Sequence, residues 1–196
     1  MAPTTYGQAA ASLTGTPTWT TQERARAGAR GEQRTAIAFS ALPPSVAVLH
    51  DLRIPIPRIT ANVDHALVSG TQVWLIDSKQ WAAGRYWTLF GHSFRGFRRF
   101  GPADKKTMSM ASTRYKTVAP AARLERPIVV VHSASPARPV KLGLLRMPGA
   151  RVMTAKQFER FLAGVAKTAL PADAGIVAAY RQLLNRAPRQ AVAARS

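Results

Sequence analysis

The sequence predicts an α/β fold in which a mixed central β-sheet is flanked by helices. A helical pattern comes first, a block of apolar strand-like segments follows, and helix, strand and helix then alternate. That order is typical of a sheet covered by helices. With 196 residues, the chain is long enough to bury a core.

The first helix is defined by signals at both of its ends. Residues 1–19 are rich in Thr, Ala, Gly and Pro and predict a flexible segment. Thr20 and Glu23 then fit a capping box, and the prolines after Leu42 end the helix. Glu32 lies on the apolar stripe of this helix, so its carboxylate is predicted to face inward.

The remaining elements follow from apolar periodicity. We expect strands at 46–52, 63–69, 72–79 and 127–133, strand potential at 85–90, short strands within 141–154, and helices at 104–122, 154–168 and 171–186. We expect three parts: the flexible segment 1–19, a domain over 20–168, and a C-terminal helix with a basic tail over 169–196.

The charge balance predicts a polyanionic partner. Lys and Arg number 28 against 9 Asp and Glu, a formal charge of +19. Nucleic acid is the first candidate and an anionic membrane surface the second. The membrane interpretation lacks a long basic amphipathic helix with bulky apolar groups. The absence of cysteine excludes disulfides, thiolate zinc sites and cysteine nucleophiles.

The sequence predicts a cytoplasmic protein that does not enter membranes. Its N-terminus lacks a basic stretch followed by an apolar one, and no apolar run approaches the roughly 20 residues that span a bilayer. Oligomeric state and protein partners are left open.

Charged residues lie inside apolar strand segments in NVDHALVSGTQVWLIDSKQW, residues 62–81. If Gly70 and Thr71 form a type II′ turn, Asp64 lies directly opposite Asp77. Lys79 is two residues further on and emerges on the same face. His65 points to the opposite face, where we expect a buried, hydrogen-bonded histidine.

Two carboxylates and an ammonium at one point suit phosphodiester hydrolysis. Mg²⁺ prefers oxygen ligands and commonly takes one or two carboxylates together with substrate phosphate. A lysine beside them can stabilise developing negative charge. D-x-K on a strand is also typical of a solvated edge or a salt bridge. The residues alone therefore leave two classes open: a nuclease, and a basic nucleic-acid-binding accessory protein without catalysis.

Four segments, in this order, resemble the nuclease-related domain (NERD) family of the PD-(D/E)xK nuclease superfamily. They are GARGE (28–32), VLHDL (48–52), NVDHALV (62–68) and VWLIDSKQW (73–81), followed by Gly84. The resemblance extends from about Gly28 to about Val165, and the segment 84–106 does not match it clearly. It implies a restriction-endonuclease-like core and a metal-dependent nuclease acting on DNA in preference to RNA.

The resemblance also implies roles for individual residues. Asp64 and Asp77 would bind Mg²⁺, with Mn²⁺ as the alternative, and Glu32 would act on the metal or on its water. Lys79 would be the catalytic lysine. The basic and aromatic segment 92–106 and the helix after it predict nucleic-acid contacts. The basic residues concerned are Arg95, Arg98, Arg99, Lys105, Lys106, Arg114 and Lys116.

Overall fold

The computed structural model describes residues 2–11, 19–57, 61–104 and 106–185, with the backbone alone for 19–24. Within these ranges, seven strands form the central sheet, in the order β1-β2-β3-β4-β9-β11 with β8 also beside β4. Their bounds are β1 Thr4–Tyr6, β2 Ala47–Arg53, β3 Asn62–Ser69, β4 Gln72–Trp81, β8 Arg123–Leu124, β9 Ile128–Ser133 and β11 Arg151–Thr154.

The central sheet is mixed, as predicted. β2, β3 and β4 are antiparallel neighbours. β1 runs parallel to β2, and β9 runs parallel to both β4 and β11. In the part of the chain that the structure describes, a second sheet of four strands has the order β10-β5-β6-β7. Its bounds are β5 Gly84–Leu89, β6 His92–Arg95, β7 Arg98–Arg99 and β10 Val140–Lys141.

Helices cover both faces of the central sheet and bury its apolar side chains. The bounds are α1 Trp19–Ala38, α2 Thr107–Val118, α3 Ala155–Lys167 and α4 Ala174–Arg181. α1 and α3 contribute to one core, which includes Phe39, Ile76 and Phe158. α2 and α4 contribute to the other core through Tyr115 and Tyr180. Burial of these apolar surfaces supplies the main driving force for folding.

The structure differs from the sequence prediction at the N-terminus. β1 lies within the segment predicted to be flexible and pairs with β2 over three residues. Three residues are too few to show an alternating pattern, and the partner strand supplies the hydrogen bonds. The domain boundaries at 19/20 and 168/169 stay predictions.

The last helix is shorter than predicted because a side chain caps it. The Asp173 carboxylate accepts a hydrogen bond from the Ile176 N–H at 2.9 Å, so α4 starts after Asp173 rather than at Pro171. α2 is also shorter than predicted, and β8 is an addition. The capping box predicted at Thr20 and Glu23 and the basic tail beyond residue 185 lie outside the described side chains.

The predicted register of the β3–β4 hairpin is confirmed. His65 pairs with Ile76 and Ser69 with Gln72, as a Gly70-Thr71 turn requires. Gly70 has φ of +55°, whereas Thr71 is not in the left-handed region. These angles are those of a type II′ turn, in which glycine is strongly favoured at the first position.

Replacement of Gly70 by alanine tests this turn. Because a Cβ at φ of +55° is strained and would lie 3.3 Å from the Leu170 side chain, Gly70→Ala should lower the free energy of unfolding by about 1–2 kcal/mol. Chemical denaturation measures the change. The control is Gly101→Ala, since Gly101 has open space around it and no positive φ. Equal stability of the two variants would contradict the turn assignment.

Candidate active site

Asp77 and Lys79 form a close ion pair on β4. Nζ of Lys79 lies 2.7 Å from Oδ2 and 2.8 Å from Oδ1 of Asp77. The Asp77 side chain is 11% exposed and that of Lys79 is 43% exposed. The ammonium therefore contacts a buried carboxylate while it stays accessible to a molecule bound at the surface.

Asp64 approaches the same point from the neighbouring strand. It is half-buried, and its Oδ2 accepts a hydrogen bond from the Ser78 N–H at 2.6 Å. Ser78 follows Asp77 directly, so the carboxylate of β3 reaches the backbone between Asp77 and Lys79. The register of the hairpin produces this juxtaposition.

Glu32 adds a third carboxylate from α1. It is 8% exposed, so the prediction that it faces inward is confirmed. Its Oε2 accepts a hydrogen bond from the Ala10 N–H at 2.8 Å. Burial raises the pKa of Glu32 to about 7; the Ala10 hydrogen bond and Lys79 oppose the rise, while the charges of Asp51 and Asp77 add to it.

The neighbouring acids raise the pKa of Asp64. Burial raises the pKa of Asp64 well above its usual value, and the charges of Asp77 and Glu32 raise it further. Burial lowers the pKa of Lys79, but Asp77 and Asp64 outweigh this effect and the net pKa is raised. The Lys79 ammonium thus offsets only part of the carboxylate charge around it.

This donor set fits a divalent cation. Asp64, Asp77 and Glu32 offer hard oxygen atoms, and an added cation would relieve the repulsion that raises the acid pKa values. Within the described ranges, no group of three or more histidine, aspartate and glutamate side chains is arranged as a metal site. A cation here would accordingly take two carboxylates and complete its ligands with water or phosphate, as Mg²⁺ commonly does.

A buried row of polar side chains crosses the sheet on the opposite face. Nδ1 of His50 lies 2.8 Å from Nδ1 of His65, and Nε2 of His65 lies 3.3 Å from Oγ of Ser78. The Ser78 hydroxyl donates to Oγ1 of Thr35, which lies 2.8 Å from Nε2 of His132. The row joins β2, β3, β4 and β9 to α1.

Burial keeps the three histidines of this row neutral near pH 7. It lowers the pKa of His50 and His132 to about 4 and that of His65 well below its usual value. The expectation of a buried, hydrogen-bonded His65 is confirmed. His65 and Ser78 each directly follow an acid of the site, so the row holds the strands that carry Asp64 and Asp77.

Sequence reasoning missed Thr35, His50, His132 and Asp51. The first three have no spacing in the sequence that links them, because their contacts arise between distant elements. Asp51 is 2% exposed, has φ of +56°, and accepts hydrogen bonds at Oδ1 from the amides of Asn62 and Asn185 at 3.0 Å each. An acid at the end of an apolar strand was a signal that could have found it.

The predicted nucleic-acid-binding residues fall into two groups. All six that the structure describes are exposed, and three of these, Arg98, Lys106 and Arg114, form the first group. The others have partners within the chain: Arg95 donates to the Ala83 carbonyl, Arg99 pairs with Asp104 at 3.5 Å, and Lys116 donates to the carbonyls of Pro120 and Ala122. Lys116 thus ties down the end of α2. Lys105 lies outside the described residues.

The phenylalanines of 92–106 also differ from one another. Phe94 stacks on Trp87, with ring centroids 4.7 Å apart. Phe100 packs against Trp81 and Tyr86. Phe97 is fully exposed, and Phe90, which lies before this segment, is almost fully exposed. Only part of the predicted aromatic surface is therefore available to a ligand.

A family model described as the nuclease-related domain matches residues 27–133, more than half of the chain. The chain belongs to the NERD family. NERD is part of the PD-(D/E)xK-like nuclease superfamily, and membership indicates a nuclease-related function. The match ends before Val165, where the resemblance was expected to end, but it includes Glu32, Asp64, Asp77 and Lys79. No curated protein and no solved structure matches the chain.

Neutralising Asp64 should stabilise the protein in the absence of divalent cations. Burial and the charges of Asp77 and Glu32 raise the pKa of Asp64 well above its usual value of 3.8. The folded protein therefore keeps a proton on Asp64 that the unfolded chain releases, so this carboxyl destabilises the fold as the pH rises above that value. Asp64→Asn removes this charge, and we expect a gain of roughly 1 kcal/mol near pH 8 and a smaller gain near pH 5.

Thermal unfolding in EDTA measures this effect. Glu159→Gln is the control, because it neutralises an exposed carboxylate on α3. A loss of stability in Asp64→Asn near pH 8, or equal gains at both pH values, would contradict the repulsion argument.

Thr35→Val tests the polar row. Valine has the shape of threonine but removes the 2.8 Å contacts that Oγ1 of Thr35 makes with the Ser78 hydroxyl and with Nε2 of His132. The free energy of unfolding should therefore fall by about 1–3 kcal/mol. Thr113→Val is the control, because Thr113 is exposed and donates only to the preceding turn of α2. Denaturant titration compares the two variants, and equal stabilities would show that the row contributes nothing.

Proposed function

We propose that this NERD-family protein is a Mg²⁺-dependent nuclease that hydrolyses phosphodiester bonds of DNA, with Mn²⁺ as an alternative metal. The convergence of Asp64, Asp77 and Lys79 at the end of the hairpin carries the proposal. A pure binder of nucleic acid has no need of buried carboxylates, which repel phosphate.

Each residue of the proposed site has a role that follows from its position. Asp64 and Asp77 would hold the cation, which would supply charge neutralisation and an activated water molecule when bound. Lys79, half-exposed beside Asp77, would stabilise the negative charge that develops on the phosphate oxygens. Glu32, whose pKa is about 7, can accept a proton near neutral pH.

Basic side chains around the site would bind the substrate backbone. Arg95, Arg98, Arg99 and Lys106 lie on the segment that follows β4, and Arg114 lies on α2. Side chains alternate along β4, so Trp81 lies on the same face of the sheet as Asp77 and Lys79. α2 packs into the core that contains Trp81, and it therefore lies on this face too. Their charge would attract phosphate without reading the base sequence. The ammonium of Lys116 is occupied by two carbonyls, so we leave it out of this surface.

The alternative, a basic accessory protein that binds nucleic acid without cleavage, also has support. Each carboxylate of the site already has a partner within the chain: Asp77 has Lys79, Asp64 has the Ser78 N–H, and Glu32 has the Ala10 N–H. In this alternative the acids would serve the fold alone.

Among the described helices, none is long and apolar enough to cross a membrane.

Metal-dependent cleavage tests the proposal. Supercoiled plasmid and end-labelled single strands are incubated with the protein in Mg²⁺, Mn²⁺ or EDTA. Asp77→Asn and Lys79→Met should each lower the cleavage rate about a hundredfold or more and leave binding within a few fold. The controls are Glu159→Gln and Lys156→Met, which make the same changes at exposed positions of α3.

Two outcomes would contradict the nuclease proposal. Cleavage by Asp77→Asn at the unmodified rate would show that the activity belongs to another site or to a contaminant. Salt-sensitive binding without cleavage in either metal would favour the accessory alternative.

A further inference from the structure

Strands β5 to β7 with their two turns, residues 84–99, form a projection that we call the wing. The wing begins three residues after Trp81, at the end of β4 that carries Asp77 and Lys79. Its base is held by three aromatic rings, Trp81, Tyr86 and Phe100, whose centroids lie 4.8–4.9 Å apart. Thr88 also bonds to the backbone of Arg146. The wing is therefore a fixed part of the surface next to the candidate site.

One turn of the wing presents a bare aromatic ring between arginines. Arg95 and Arg98 are directly opposite each other across a two-residue turn, Gly96-Phe97. The Phe97 side chain is 100% exposed, and no atom lies within 4 Å of a Cβ built at Gly96. The turn itself is held in place, because the Trp87 indole N–H donates to the Gly96 carbonyl at 2.8 Å. The exposed ring is thus presented by an ordered turn.

The arginines of this turn are arranged unfavourably for the isolated protein. Like charges directly opposite each other in an antiparallel pair destabilise it. Arg95 is bound to the Ala83 carbonyl, and among the described residues Arg98 has no acidic partner. A polyanion that binds at the turn would remove the repulsion.

The other turn of the wing is strained in a way that its own contacts do not explain. Phe90 and Gly91 form a two-residue turn in which both have positive φ, +48° and +76°. Asn-Gly or Asp-Gly suits such a type I′ turn, whereas a bulky side chain in this conformation is an outlier. Phe90 is 91% exposed, so packing does not compensate for the strain. Backbone strain of this kind is concentrated at functional positions.

We infer that the wing binds unpaired bases of a nucleic acid, which makes single-stranded or locally unpaired DNA the substrate class. This inference rests on the proposed function. Phe97 stacks on one base while Arg95 and Arg98 contact the flanking phosphates, and Phe90 offers a second ring at the other end of β6. Base stacking needs a π-face, which a duplex exposes only at its ends, so the exposed rings select unpaired segments. The arginines alone would select neither form.

Binding in EDTA tests the inference without any need for cleavage. Fluorescence anisotropy measures the affinity of the full chain for a labelled oligothymidylate and for a blunt duplex of the same length. Phe97→Leu should weaken binding of the single strand about tenfold and leave the duplex within twofold, whereas Phe97→Trp should retain the affinity. Phe90→Leu should show the same selectivity. Ile37→Ala is the control, since it trims an exposed apolar side chain on α1.

The salt dependence separates the ring from the charges. Phe97→Leu should leave the slope of log affinity against log salt unchanged, whereas Arg98→Gln should reduce it by somewhat less than one. Arg160→Gln, on the exposed face of α3, is the matched control.

Unchanged single-strand affinity in both phenylalanine variants would overturn the inference, and so would equal losses of affinity for single strand and duplex. The same variants are also tested for binding to phosphatidylglycerol vesicles. Variants that lose binding to the vesicles but keep binding to oligonucleotides would overturn it as well. That result would identify a lipid surface as the ligand. If the variants lose single-strand binding but the protein cleaves nothing, the binding of unpaired bases by the wing stands, whereas the proposed function fails together with the substrate class.

Discussion

The arrangement of the site depends on the register in which β3 pairs with β4. A shift of one residue would move Asp64 to the face of His65 and bring the histidine to the acids. The type II′ turn at Gly70 sets the register at one end of the hairpin, and Ser78 secures it at the other. Ser78 binds Asp64 through its N–H and the polar row through its hydroxyl, so a single residue connects the two faces.

The site combines charges that oppose folding with a fold that holds them in place. Burial and neighbouring carboxylates raise the pKa values of Glu32 and Asp64, while Lys79 is the nearby cation. Such a cluster of largely buried carboxylates is typical of functional sites, where charge is kept for function although it does not stabilise the fold. The neutral histidines on the opposite face supply hydrogen bonds without adding charge, because burial keeps them unprotonated near pH 7.

Local patterns in the sequence were sufficient to predict much of the fold and the convergence of Asp64, Asp77 and Lys79, whose roles stay predictions. A two-residue turn at Gly70-Thr71 between two apolar runs predicted the hairpin and its register, and the helical stripe placed Glu32 inward. The row from His50 to His132 could not be predicted, since it joins five elements whose order in the sheet is not encoded by any local spacing. The strand at Thr4–Tyr6 was missed because its partner, and not its own sequence, determines it. Full exposure of Phe97 against partial burial of Phe100 likewise depends on how the wing folds back on Trp81.

The wing leaves the core and returns to it at one place. The chain departs at Trp81 and re-enters at Phe100, and these two rings are in contact with centroids 4.8 Å apart. The two turns of the wing can therefore lengthen, shorten or be exchanged during evolution while Tyr86 and the two ends of the wing stay where they are. Asp64 on β3 and Asp77 and Lys79 on β4 would not move. Members of the family could therefore differ in the ligand that the wing binds while the residues of the candidate site stay in place, as binding loops differ on other rigid scaffolds.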